Sequence, residues 1–267
     1  MCLIYLTYKS VFVIDGIAME NKNLIGVTER GDAALDMSWK YWVFIQRRPA
    51  ILISKDPLKL FNEVTTMIDQ YGFCPNIIVH CTITGFGGTK IEPNVPKADV
   101  SLKGYSKFVN LLGKDRVVLR CDPVIPTEKC VVFAATTVMS KALGTRIRFS
   151  FLDLYSHVKQ RFIDAGVDID KLGIKDGSLH ASLDNRLELV QLMKQYVVDP
   201  SMLSACGEPG IQSEPCISKR DCDILGVELM PPSFKQRFAC HCAANKTELL
   251  KTRGQCKHGC LYCYWKD

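Results

Sequence analysis

The chain has no internal repeat, no low-complexity tract and no apolar run long enough to cross a bilayer, so neither a repeat array nor a membrane-spanning segment is expected. Its glycines match neither the dinucleotide-binding nor the phosphate-loop pattern. The one glycine-rich stretch, Thr84-Gly85-Phe86-Gly87-Gly88, reads as a tight turn after a strand, or as backbone amides approaching a cofactor's carboxylate or ribose. Charge of one sign is scarce. A net +6 over 267 residues suits an anionic substrate or cofactor but falls short of a nucleic-acid-binding signature, so nucleic acid is neither required nor excluded. The apolar opening from Met1 to Ile14 has no basic stretch before it and no secretory cleavage site after it. Residues 1–22 therefore read as an extension or a strand, and a cytoplasmic location with no membrane partner is expected.

Cysteine is what the chain has in excess. Of 13 cysteines, five (2, 74, 81, 121 and 130) are scattered and eight (206, 216, 222, 240, 242, 256, 260 and 263) lie after residue 205. An odd number without a secretion signal argues against a disulfide scaffold and for a metal-binding segment in a reducing compartment. The densest stretch is Cys256-Lys-His-Gly-Cys260-Leu-Tyr-Cys263-Tyr-Trp. A C-x3-C-x2-C spacing turns three thiolates toward one point from a single loop. Three thiolates hold a [4Fe–4S] cluster with one iron open to a further ligand. The alternative is a zinc site completed by Cys240, Cys242 or His258.

Apolar runs alternate with helical periodicity through the middle of the chain. Strands are expected at Asn23–Thr28, Ala50–Ser54, Asn76–Thr84, Arg116–Asp122, Arg146–Asp153 and near Ser201–Cys206. Helices are expected at Leu58–Tyr71, Ser101–Leu112, Glu128–Leu143, Tyr155–Ala165 and Ser182–Val197. Near-continuous apolar strands separated by helices predict βα units and a parallel sheet. About six units give a TIM-like β/α barrel over residues 23–205, complete or incomplete, with a doubly wound open sheet as the alternative. Residues 206–267, rich in glycine, proline and cysteine, are expected to fold back as an irregular flap over the open end, with one short helical piece at Lys219–Gly226. Polar residues collect where strands end: Thr28, Arg30 and Asp32; Lys55 and Asp56; Thr84 and Glu92; Arg120 and Asp122; Asp153; and Glu208.

With Tyr262 just before the last cysteine, the C-terminal motif resembles that of radical S-adenosylmethionine enzymes, which normally carry it near the N-terminus. The whole pattern resembles one uncharacterised bacterial and archaeal family, the domain of unknown function numbered eighteen forty-eight. The resemblance rests on Thr82-Ile-Thr-Gly-Phe-Gly with Ile91-Glu-Pro-Asn-Val-Pro, on Arg116-Val-Val-Leu-Arg-Cys-Asp-Pro-Val, on Phe149-Ser-Phe-Leu-Asp-Leu-Tyr, and on the cysteine motif itself. Arg30 and Asp32 alone remain of an arginine-rich first strand end, and Cys121 stands where the family has an aromatic.

The resemblance implies a radical S-adenosylmethionine enzyme of unknown substrate, supplied with electrons by a donor such as a flavodoxin or ferredoxin. Cys256, Cys260 and Cys263 are the expected cluster ligands, with Gly259 allowing the turn between the first two. Tyr262 is the expected adenine contact, and His258 is expected to hydrogen-bond a sulfur. Arg120 with Asp122 is expected to hold the cofactor's carboxylate and amine or its ribose, or to form a structural ion pair. Thr84 and Asp153, with Glu92 and Lys159, are similar candidates. Cys206-Gly-Glu208-Pro is similar to the Gly-Gly-Glu element that such enzymes use for the methionine amine. Cys206, Cys216, Cys240 and Cys242 form a second candidate set, for an auxiliary iron–sulfur cluster or a structural zinc, or else pack unliganded. Cys74, Cys81, Cys121 and Cys130 are expected to be buried packing residues, Cys222 spare, and His80 a satisfied core residue. The competing functions are a zinc-stabilised binding module and an iron–sulfur protein that only transfers electrons.

Overall fold

A computed structural model describes residues 23–232, 240–252, 254 and 256–265; the expectation for residues 1–22 lies outside them. Its frame is a seven-stranded, all-parallel sheet. The strands are β1 (Ile25–Val27), β2 (Ala50–Ser54), β3 (Ile77–Thr82), β4 (Val117–Val124), β5 (Arg146–Phe151), β6 (Leu203–Ala205) and β7 (Lys246–Glu248). Their spatial order is β6-β5-β4-β3-β2-β1-β7. Neighbours therefore follow the chain from β1 to β6, and the last strand adds to the free side of the first. Each expected strand is present, and β7 is an addition.

The helices are α1 (Pro57–Tyr71), α2 (Ala98–Leu112), α3 (Glu128–Thr137), α4 (Ser156–Asp164), α5 (Leu183–Lys194) and α6 (Lys219–Leu225). Local chemistry sets their ends. Asp56 caps α1 by accepting from the Lys59 amide, Pro57 occupies the first turn, and Gly72 closes the helix at φ +71°. Ser218 and Asp221 make a reciprocal capping box at the start of α6.

Both sheet faces are covered, which is why the strands read as unbroken apolar runs. Leu52, Val79, Leu119 and Ile147 pack with Leu60 and Val64 of α1, Phe108 of α2, Val131 of α3 and Met193 of α5 in the main core. Alternate residues on the other face, among them Ile25, Ile51, Ile78 and Val118, pack against Cys216, Ile217, Cys222, Leu225 and Cys242. So part of the cysteine-rich tail fills one face of the sheet, while a later part lies at the strand ends. In the β4–β5 ladder the register shifts between Cys121 and Val124, taking Asp122 out of the regular pattern where the strand reaches those ends.

Candidate functional site

The loop of residues 256–265 docks on the segments that follow the strands' C-terminal ends, where α/β proteins place ligands. Leu261 N–H donates to the Ile91 carbonyl (3.0 Å) and Asn94 Nδ2 to the Lys257 carbonyl (2.9 Å). Arg161 of α4 donates Nε–H to the Leu261 carbonyl (2.9 Å) and a second N–H to the Cys263 carbonyl. Asp153 N–H donates to the Tyr264 hydroxyl (2.9 Å), and the Tyr264 ring meets Tyr155 edge-on. Cys260 and Tyr262 are buried among Val95, Leu152, Leu154 and Phe162. Trp265 stays half exposed, with the Arg30 guanidinium over its ring.

Cys256, Cys260 and Cys263 line one small hollow together with Gly254, His258 and Gly259. Gly259 sits at φ +69° with Pro93 3.4 Å from where a side chain would begin, so the turn between the first two thiols needs a glycine. Burial pushes the Cys256 thiol up to about 11 and the Cys260 thiol up to about 12. Both are therefore protonated near neutrality, and a metal would have to displace those protons. Lys55 opposes the shift of Cys260.

Beneath the hollow lies a buried polar network. Lys55 Nζ donates to Glu92 Oε1 (3.1 Å), the Tyr262 hydroxyl (2.7 Å) and the Asp122 carbonyl (3.2 Å). Tyr262 in turn donates to Glu92, whose other oxygen accepts from Thr84 Oγ1 at 2.7 Å. Burial works against the Lys55 ammonium, but the carboxylates of Glu92 and Asp122 outweigh it and raise the pKa. Beside it, Asp32 accepts from the Ala34 and Lys55 amides, from Ser54 Oγ and from His258 Nε2 at 2.8 Å. His258 Nδ1 faces the Asn94 carbonyl (3.1 Å). With acceptors at both nitrogens the ring is placed as an imidazolium. Burial opposes that charge, and Asp32 overcomes it, so the pKa is raised above 6.5.

The structure thus brings the three C-terminal cysteines, Tyr262 and Thr84 into one region. His258 bonds Asp32 and Asn94 instead of a sulfur. The Tyr262 hydroxyl is committed to Lys55 and Glu92. Arg120 and Asp122 pair with each other, and Ser150 Oγ donates to Asp122. Asp153 meets His180 Nδ1 at 2.6 Å. Glu208 accepts from the Phe151 amide (2.6 Å) and from Arg186 (2.8 Å), a buried structural pair. Lys159 stands apart on Asp176. Sequence reasoning placed Lys55, Asp32 and Glu92 at strand ends without giving them the central role the network assigns.

The second set is also assembled, on the sheet face opposite the main helices. Cys206 Sγ lies 2.7 Å from Cys216 Sγ, and the Cys242 side chain hydrogen-bonds with those of Cys206, Cys216 and Cys240. These contacts drive the Cys242 thiol far up and hold the Cys240 thiol down at about 6. Neighbouring thiols cannot all ionise together. As the side chains stand, no three His, Cys, Asp or Glu among the described residues form a ready metal-ligand group. Cys81, Cys121 and Cys222 are buried as packing, Cys130 is half-buried, and Cys74 is exposed, contrary to expectation. His80 is buried with no hydrogen-bond partner on either nitrogen, so it is not the satisfied core histidine expected.

No helix among the described residues is long and apolar enough to cross a membrane. No curated protein and no solved structure matches the chain. A family model does match, over residues 46–265, and takes in Lys55, Glu92 and the cysteine loop, though not Asp32. The chain belongs to the family described as a domain of unknown function, DUF1848.

Proposed function

We propose that the chain is an iron–sulfur enzyme that binds S-adenosylmethionine at a [4Fe–4S] cluster held by Cys256, Cys260 and Cys263. The observation that carries this reading is three cysteines, and no fourth among the described residues, lining one hollow beside the C-terminal ends of a parallel sheet. Four thiolates close a metal site, whereas three leave one iron for a ligand. His258, the remaining donor at the hollow, is tied to Asp32 and Asn94. The donor set therefore fits a three-cysteine cluster better than a zinc site completed by histidine.

When bound and reduced, such a cluster with S-adenosylmethionine supplies homolytic cleavage of the sulfonium and a route to hydrogen abstraction. The chain's own residues supply the setting. Lys55 places a buried positive charge next to Cys260, which favours a ligand carrying sulfide and thiolate charge. The Asp32–His258 side-chain pair and the bonds from Arg161 to the Leu261 and Cys263 carbonyls fix the loop at two places. Val95, Leu152 and Phe162 keep water from the inner side of Cys260 and Tyr262. Arg120, Asp122 and Asp153 stand at neighbouring strand ends and are the polar groups we assign to a cofactor's carboxylate, amine or ribose.

The sheet order supports a TIM-like barrel left incomplete. Neighbours are sequential and the final strand returns to β1, as when a sheet curls round on itself, with β6 and β7 as the remaining edges. The electron donor would be a flavodoxin or ferredoxin, and the location cytoplasmic.

Anaerobic reconstitution followed by dithionite and S-adenosylmethionine tests the activity. The expected result is 5′-deoxyadenosine from the wild-type chain and none from Cys260→Ala. A brown protein that forms a cluster but leaves S-adenosylmethionine intact would make it an electron carrier. A colourless protein with zinc at the C-terminal loop would make it a zinc-stabilised module.

A further inference from the structure

We infer that Cys206, Cys216, Cys240 and Cys242 hold one zinc ion that ties together the two edges of the sheet. The inference is independent of the reading of the C-terminal loop. Cys206 directly follows β6, and Cys240 and Cys242 lie six and four positions before β7. β6 and β7 are the two strands with a free side. Cys216 comes from the segment between β6 and α6. One ion at these sulfurs would join the segments beside the two edge strands through side chains, next to the backbone hydrogen bond from Ala243 N–H to the Ile217 carbonyl (3.0 Å).

Convergence of the four side chains on one point favours a single ion. The Cys242 side chain is in hydrogen-bonding contact with all three others. Around zinc, with Zn–S near 2.3 Å, the sulfurs of a tetrahedron lie roughly 3.8 Å apart. A four-iron cluster binds each thiolate on a different iron and would need the sulfurs spread much wider. At 2.7 Å, Cys206 and Cys216 are closer than mere packing neighbours, since apolar atoms settle at about 3.5–4.0 Å. Taking up zinc requires this pair to open by about 1 Å, which completes a ligand group the side chains do not yet form.

The surroundings fit a site with surplus negative charge. Four thiols that lose their protons to solvent and bind Zn²⁺ leave a dianion. It would sit against Ile25, Ile51, Ile78 and Val118, a face with little water to solvate it. His80, on β3 of this same face, is 1% exposed with both ring nitrogens unpartnered, and it interacts electrostatically with Cys216. The Arg120 guanidinium acts on both Cys206 and Cys216. An anionic centre gives His80 the hydrogen-bond acceptor it lacks, the usual second layer of a zinc–thiolate site.

The test uses the full chain carrying Cys256→Ala, Cys260→Ala and Cys263→Ala, purified without added iron, so that the C-terminal cluster cannot contribute. The inference predicts about one zinc per chain by elemental analysis, and, after exchange with Co²⁺, the intense visible bands of a tetrahedral tetrathiolate. Adding Cys242→Ser should cut the zinc to about a tenth or less. Cys222→Ala, a buried neighbour outside the set, should leave it in place. If Cys242→Ser does not fold, the Co²⁺ spectrum of the parent decides alone. Absence of both zinc and the cobalt spectrum overturns the inference. So does iron with sulfide in place of zinc, or a Cys206–Cys216 disulfide found by peptide mapping.

Discussion

Lys55 and Glu92 carry the contact on which the cysteine loop rests. The ammonium reaches Glu92, Tyr262 and the Asp122 carbonyl at once, and Glu92 is almost wholly buried. Lys55→Met leaves that carboxylate buried without its counter-charge, at a cost of about 3–5 kcal/mol. Urea unfolding should show this loss. Adding Glu92→Gln should recover part of it, because the neutral amide needs no counter-ion. Asp36 ties the approach to the loop: one oxygen accepts from Ser38, the other from the Lys251 and Thr252 amides and the Thr252 hydroxyl. Partial burial disfavours its charge, but the donors from Ser38 and Thr252 prevail and hold the carboxyl well below 3.8. A depressed carboxylate pKa stabilises the fold above the unfolded value and loses that effect as pH falls through the folded one. Asp36→Asn should therefore cost about 1 kcal/mol at neutral pH, a modest figure because the site is partly solvated. The gap from wild type should shrink as the pH falls below 3.8, as thermal melts across that range would show. The thiols were legible in the sequence because their spacing is local. The Lys55–Glu92 pair was not, since its members stand 37 positions apart and only the fold brings them together.

At the scale of elements, hydrophobic periodicity located β1 to β6 and the main helices because burial on both faces leaves an unbroken apolar signature. β7 escaped for the same reason in reverse. Lys246, Thr247 and Glu248 are only half-buried, and they are a strand because β1 offers them a free edge in the register Ile25 to Lys246. α3 ends at Thr137, short of the expected Leu143, where Val138 leaves helical geometry and a tight turn at Met139–Lys141 follows. Helix packing depends on one absent side chain. A Cβ on Gly104 of α2 would stand 2.2 Å from the Leu58 amide nitrogen at the start of α1, and backbone cannot rotate out of the way. Gly104→Ala should part the two helices and cost about 1–3 kcal/mol despite alanine's better helix propensity. A lowered denaturation midpoint without change in the steepness of the transition would confirm it.

Across the whole molecule, sequence and structure agree on a parallel α/β frame whose cysteine-rich tail divides in two. One part lines the sheet face away from the main helices, and the other lies by the strand ends. The expected flap covers only the second of these roles. The first falls to Cys206, Cys216, Cys240 and Cys242, a set the sequence suggested but whose place on the sheet face only the fold reveals. Both sulfur sets meet the frame at places where parallel α/β architecture concentrates function or needs closure. The central claim is that Cys256, Cys260 and Cys263 hold a cluster with an open iron. EPR of the anaerobically reconstituted, dithionite-reduced protein, recorded with and without S-adenosylmethionine, tests it most directly. A three-cysteine cluster with an open iron should give a [4Fe–4S] signal that shifts when S-adenosylmethionine is added and is absent from Cys260→Ala. A signal that S-adenosylmethionine leaves unchanged, or no cluster at all, would contradict it.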